Sequence, residues 1–251
     1  MDKTLQGKVA LVTGGSRGLG AATAAALAAR GADVAISYVA SKEKAEAVVA
    51  RLRETGVRAV AIRADQGDTG SAEPLVREVL AALGRLDIVV NNAAIAVMGK
   101  TLDDPAIDNA AMDSQWAVNT AGVIAVIRAA ARVLPEGGRI ISVGSGVGTR
   151  VLFAGATDYA ATKAAIVGYT RGAARDLGAR GITVNVVQAG IMDTDMAAGA
   201  RDALPSAVLD SHAIRRIAEL DEVAAAIVFL AGPDAGYITG SVIDVNGGYT
   251  A

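Results

Sequence analysis

The chain has 251 residues, 52% hydrophobic but only 3% aromatic, and 24 Lys+Arg against 26 Asp+Glu leave a formal charge of −2. That balance argues against nucleic acid as a partner, since phosphate contacts need a basic surplus. With no cysteine and one histidine, His212, the chain lacks disulfides, thiolate nucleophiles and the His/Cys sets that hold zinc, so no metal site is expected.

Short, almost continuously apolar runs alternate with longer Ala-rich segments. The runs are Val9–Thr13, Val34–Tyr38, Arg58–Ala64, Leu86–Val90, Arg139–Val143, Thr183–Val187 and Ser241–Val245. The helix-like segments are Leu19–Arg30, Lys42–Thr55, Ser71–Leu83, Asp113–Leu134, Asp158–Gly178 and Asp221–Ala231. Runs without apolar/polar alternation suit strands covered on both faces. Strand–helix alternation predicts an α/β fold: one Rossmann-type, doubly wound parallel sheet of about seven strands with helices on both faces. A single domain over 1–251 is expected. The stretches Ala93–Asp113 and Ile191–Ile217 exceed ordinary loop lengths. Following strands, they would lie over the carboxyl edge of the sheet where ligands bind, with 191–217 as a substrate lid. No uncharged run is long enough to span a bilayer, and Met1-Asp2-Lys3-Thr4 has no signal-peptide layout. A soluble, cytoplasmic protein without a membrane partner is expected.

The first strand–helix junction reads Thr13-Gly14-Gly15-Ser16-Arg17-Gly18-Leu19-Gly20. Glycines there allow a tight turn and close approach of a pyrophosphate, and the following helix offers unpaired N–H groups. An acid closing the second strand would accept from a ribose 2′-hydroxyl and repel a 2′-phosphate. Asp33 instead opens that strand, and its far end carries Tyr38, Ser41 and Lys42 with no carboxylate before Glu43. Arg17, Ser41 and Lys42 would suit a 2′-phosphate, so NADP(H) is the predicted cofactor over NAD(H).

Tyr159 and Lys163 stand four residues apart on a predicted helix and share one face. A lysine charge 4 Å from a phenolate, at an effective dielectric near 20, would stabilise it by about 4 kcal/mol, or roughly three pKa units. Such a tyrosine could protonate a carbonyl oxygen as hydride arrives, or deprotonate an alcohol in reverse.

The glycine turn, Asn91-Asn92-Ala93-Ala94 after the fourth strand, Asn119 in Val118-Asn119-Thr120-Ala121-Gly122, Ser145 after the fifth strand, Tyr159-Ala-Ala-Thr-Lys163 and the closing Asp244-Val245-Asn246-Gly247-Gly248 occur in order. Together they resemble the short-chain dehydrogenase/reductase family, along essentially the whole chain. The resemblance implies Tyr159 as general acid/base and Lys163 as the residue that lowers its pKa and bonds the nicotinamide ribose. It also implies Ser145 as holder of the substrate oxygen, with Asn119 anchoring a water in a proton relay to Lys163. It places Asn92, Ala93 and Ala94 on the adenine-ribose side, Asp65 and Gln66 at the adenine, and Ile191, Met192 and Thr194, after Gly190, at the carboxamide. Ser142, inside the strand run, is the rival serine. The sequence departs from the family pattern where Ala94 replaces a usual glycine and where Ala189-Gly190 replaces a usual Pro-Gly.

The implied activity is reversible, NADP(H)-dependent reduction of a ketone or aldehyde to an alcohol. A 3-oxoacyl-[acyl-carrier-protein] reductase is the alternative, and a non-catalytic NADP-sensing protein is a remote one. A small-molecule carbonyl or alcohol partner and a homotetramer are implied. His212 is expected at the surface or the substrate rim. Trp116 and Phe153 are candidates for a pocket wall or the core, and Met98, Met192 and Met196 for an adaptable cleft lining.

Overall fold

The computed structural model describes residues 3–194 and 209–251. Seven strands, β1 (Val9–Val12), β2 (Asp33–Tyr38), β3 (Ala59–Arg63), β4 (Ile88–Asn91), β5 (Arg139–Ser145), β6 (Thr183–Ala189) and β7 (Val242–Val245), form one sheet in the order β3-β2-β1-β4-β5-β6-β7. Every pairing is parallel. The order reverses between β1 and β4, which opens a crevice beyond their carboxyl ends.

Among the described residues the helices are α1 (Gly18–Ala29), α2 (Lys42–Glu54), α3 (Ala72–Leu83), α4 (Asn109–Trp116), α5 (Val123–Ala131), α6 (Thr157–Leu177) and α7 (Leu220–Ala231). Alternate residues of β1 enter opposite cores: Ala10 and Val12 pack with α1, α2 and α7, while Val9 and Leu11 pack with α3, α5 and α6. This two-sided burial explains the continuous apolar runs in the sequence.

One predicted helix is interrupted. The segment expected as Asp113–Leu134 is α4, a π-helix over Ala117–Gly122, and then α5. A wider turn at this place lets Gly122 lie against Gln66, where a Cβ would stand 1.9 Å from the Gln66 carbonyl oxygen. Such single-turn insertions gather at functional sites. Among the described residues, no helix is long and apolar enough to cross a membrane.

Candidate active site

The glycine turn sits where β1 meets α1. Gly14 N donates to Ser37 Oγ at 3.3 Å and Gly15 N to the Ser37 carbonyl at 3.0 Å, pinning the turn to β2. A Cβ on Gly15 would stand 2.5 Å from Ile36 Cβ, and one on Gly20 would stand 2.4 Å from the Gly14 carbonyl oxygen. Gly14 and Gly18 have φ of 64° and 52°, conformations that favour glycine. Thr13, which the sequence reading left without a role, is fully buried; its Oγ1 accepts from both Asn92 N and Ala93 N at 3.0 Å. Asn92 in turn donates from Nδ2 to the carbonyls of Thr13 and Gly14 at 2.9 and 3.2 Å. The end of β4 is thereby welded to the turn.

Opposite Gly18 stands Thr194, whose Cγ2 would lie 3.5 Å from a Cβ added there. The segment that carries it is held to the chain after 217, because Ala218 N donates to the Ile191 carbonyl at 2.9 Å and Met192 bridges Ala218. Gly18, Thr194 and the first turn of α1, which contains no acid, therefore face one space suited to an anionic phosphate. Arg17 and Lys42 are exposed at its edge, and Ser41 precedes α2. Asp33 is engaged at the opposite end of β2, accepting from Arg58 N at 2.7 Å and Arg58 Nε at 2.9 Å.

Four residues expected at the cofactor also make contacts within the protein. Gln66 turns inward and donates from Nε2 to the carbonyls of Ala93 and Val118 at 2.8 and 3.0 Å, so it braces the loop after β4; its exposed neighbour Asp65 caps Gly67 N. Tyr38 is buried within the α1/α2 core. Gly190 packs on Asn246, whose Cα would be 2.8 Å from a Cβ there. Each position was read from its place in the chain, and side-chain direction depends on partners distant in sequence.

The segment after β4 is held by further buried amides. Asn119, in the π-helix, accepts from Ile95 N at 2.9 Å and donates to the Ile95 carbonyl at 2.8 Å, so its side chain is committed to the backbone. Gln115 accepts from Val97 N at 2.6 Å. Gln115 had no sequence signal beyond polarity inside a helical run.

At the end of β5, Ser145 caps a short 3-10 turn over Gly146–Gly148, accepting from Val147 N at 3.3 Å. Its hydroxyl lies near enough to the Tyr159 phenol to favour the ionised form of that group. Ser142 is buried and bonded to Asn91 instead. Lys163, in the second turn of α6, is buried; its Nζ donates to the Val143 carbonyl at 3.0 Å and lies 5.7 Å from the centre of the Tyr159 ring. Desolvation pulls its pKa down from 10.5 to about 8. The Tyr159 phenol is pushed up by burial, with the Ser145 hydroxyl acting the other way. The expected lowering of the phenol by the lysine charge is thus corrected for the free protein: burial dominates, and the ammonium is turned to a carbonyl.

His212 is buried rather than surface-facing, with its ring 5.1 Å from that of Tyr249. Trp116 is partly exposed and donates to Asp158 Oδ1 at 2.8 Å; Phe153 is exposed rather than core, and Met98 is exposed. Met196 and 195–208 of the expected lid lie outside the described residues. No group of three or more His, Asp or Glu poised for a metal occurs among the described residues.

Residues 14–250 match a family model described as enoyl-(acyl carrier protein) reductase. The cyclic-di-GMP-binding biofilm dispersal mediator protein of Escherichia coli (strain K12) is 40% identical over 245 residues, covering 98% of each chain. The 3-oxoacyl-[acyl-carrier-protein] reductase FabG of Staphylococcus aureus (strain Mu50) is 39% identical, covering 96% of this chain and 97% of its own. A short chain dehydrogenase from Burkholderia cenocepacia J2315, solved in complex with NADP, is 50% identical with a TM-score of 0.93, over 99% of this chain and 100% of its own. A blue fluorescent protein from a metagenomic library, solved in complex with NADPH, is 44% identical with a TM-score of 0.93 over the same shares. Likeness of this extent, in sequence and in sheet order alike, makes the chain a member of the short-chain dehydrogenase/reductase family of oxidoreductases.

Proposed function

We propose that the protein is an NADP(H)-dependent carbonyl reductase that converts a free, apolar ketone or aldehyde to its alcohol, reversibly. The observation that carries this reading is the meeting of Ser145, Tyr159 and Lys163 beside the crevice that the glycine turn lines. The glycines leave the turn bare of side chains at the start of α1, where a pyrophosphate would meet free N–H groups. Relatives solved with NADP and NADPH support the same cofactor, as does the lack of an acid closing β2.

Held by the glycine turn and the residues around Thr194, a nicotinamide dinucleotide would supply the hydride for the carbonyl carbon. Ser145 donates a hydrogen bond to the carbonyl oxygen and fixes its distance from Tyr159. The Tyr159 phenol delivers its proton to that oxygen as negative charge builds on it, leaving a phenolate. Lys163 then steadies that phenolate, for an ammonium in a dry site acts on it far more strongly than in water. Asn119 serves by fixing the Ile95 backbone at the crevice wall. In the reverse direction the phenolate takes the alcohol proton.

The substrate class follows from the rim. Met98, Leu102, Val151, Leu152, Phe153 and Ile214 are exposed large apolar side chains on segments beyond β4, β5 and β6. Gly99 N donates to the Gly155 carbonyl at 2.9 Å, bringing the first two of these segments together. Among the described residues, Lys100 pairs with Asp104, Arg215 with Asp210, Arg216 with Glu222, and Arg150 with backbone carbonyls. An acidic carrier protein would want such charges available. The reading as a 3-oxoacyl-[acyl-carrier-protein] reductase draws its support from the FabG relatives. Turnover of an aryl or long-chain ketone with NADPH, against a carrier-bound 3-oxoacyl chain, separates the two. The apolar rim calls for faster turnover of the free ketone; preference for the carrier-bound substrate would reverse the assignment.

A further inference from the structure

The turn that follows Ser145 lacks side chains on both sides. A Cβ on Gly146 would stand 2.7 Å from Cδ1 of Tyr249, and one on Gly148 would stand 2.9 Å from Lys163 Cβ. The turn is therefore pressed between the Tyr249 ring and α6 at Lys163. Gly146 is not among the glycines of positive φ, so contact rather than backbone conformation demands a glycine there.

Tyr249 is itself firmly held. Its hydroxyl donates to the Arg150 carbonyl at 2.9 Å, while Arg150 Nη1 donates back to the carbonyls of Tyr249 and Ala251 at 3.1 and 3.0 Å. The ring lies 5.1 Å from that of His212, at an interplanar angle of 42°. Around it, Ile214 N donates to the Gly247 carbonyl at 2.9 Å, and Gly248 would place a Cβ 2.8 Å from that of Ala213. The tail after β7 thus spans the gap between the serine turn and the 212–214 segment. None of the local motifs around Ser145, Tyr159 or Lys163 includes it.

We propose that Tyr249 is a positioning residue: its ring presses the Gly146–Gly148 turn onto α6 and so fixes the Ser145 hydroxyl beside Tyr159, while tying that turn to the 212–214 segment. Its effect on turnover rests on the carbonyl-reductase reading above; its effect on Ser145 does not. A misplacement of about 1 Å at a reacting group costs up to about a hundredfold in rate, which a few tenths of an ångström of shift at the turn would approach in part.

The test is a coupled pair of substitutions. Gly146→Ala should push the turn off the ring and lower kcat by about 10- to 100-fold, with NADPH affinity, followed by cofactor fluorescence, little changed. Tyr249→Ala should lower kcat by removing the support. Combined, the two should restore kcat above that of Gly146→Ala, because the new methyl fills space the ring has left. Tyr249→Phe keeps the ring and should keep most of the activity. Losses that multiply in the double variant, or NADPH affinity falling in step with kcat, would overturn the proposal. If the unmodified enzyme reduces no carbonyl, the functional reading fails by itself. The positioning role is then read from the ultraviolet ionisation of Tyr159, measured in each variant against the same variant carrying Tyr159→Phe. Gly146→Ala should raise that titration by loosening Ser145, and adding Tyr249→Ala should bring it back; an unmoved titration refutes the role.

Discussion

Lys163 donates to the Val143 carbonyl inside a site dry enough to bring its pKa from 10.5 to about 8. Between those two values the unfolded chain holds a proton that the folded chain has released, so stability rises with pH across that window. Summed over the shift, the effect is about 3 kcal/mol for so buried a group. Tyr159 acts in the opposite sense: its folded phenol is raised above the ordinary value of 10.0, so stability is lost above pH 10 as the unfolded phenol ionises. The rise from pH 8 to 10 therefore belongs to the lysine. Urea unfolding of the cofactor-free protein at pH 7.5, 9 and 10 should show it, and Lys163→Met should flatten it; an equal slope in both proteins would contradict the burial of this charge. The pairing of Tyr159 with Lys163 was legible from spacing alone. The balance between desolvation and charge was not, because it depends on the Val143 carbonyl twenty residues away in sequence.

Among the elements, the β1–α1 junction tolerates little change. Gly20 opens α1 with no room for a methyl: it would meet the Gly14 carbonyl oxygen at 2.4 Å and Asn92 Nδ2 at 2.6 Å. Gly20→Ala should destabilise the fold by about 1–3 kcal/mol and weaken NADPH binding more than tenfold, on the order of the energy of one or two lost phosphate contacts. Thermal melting and a fluorescence titration check the two effects. Normal affinity in the variant would show that the cofactor does not approach this turn. The glycine pattern, the apolar strands and their order of appearance were readable because each is a local or periodic feature. The π-helix was not, since the approach of Gly122 to Gln66 that accompanies it joins residues far apart in sequence. The inward turn of Gln66 and the support of Ser145 by Tyr249 also join residues far apart in sequence. A linear reading assigns such residues to the nearest ligand or leaves them unassigned.

Across the whole molecule, the near-zero net charge hides a local asymmetry at the carboxyl edge of β2. Asp33 is drawn to the other end by Arg58, while Arg17 and Lys42 stand exposed at the edge itself. Lys42→Glu should therefore weaken NADPH by about tenfold or more and leave NADH nearly unchanged, since one charge-assisted contact is worth roughly 1.5–3 kcal/mol. Equal losses for both cofactors, in parallel titrations, would place the 2′-phosphate elsewhere. In the proposed reaction, turnover depends on one oxygen, the Tyr159 hydroxyl, and on its delivery of a proton to the substrate. The most direct measurement compares the unmodified enzyme with Tyr159→Phe, at saturating NADPH and an apolar ketone, by following nicotinamide absorbance. Loss of turnover by at least about a hundredfold, with NADPH affinity retained, is the predicted result; a phenylalanine variant that still reduces the ketone at a comparable rate contradicts it.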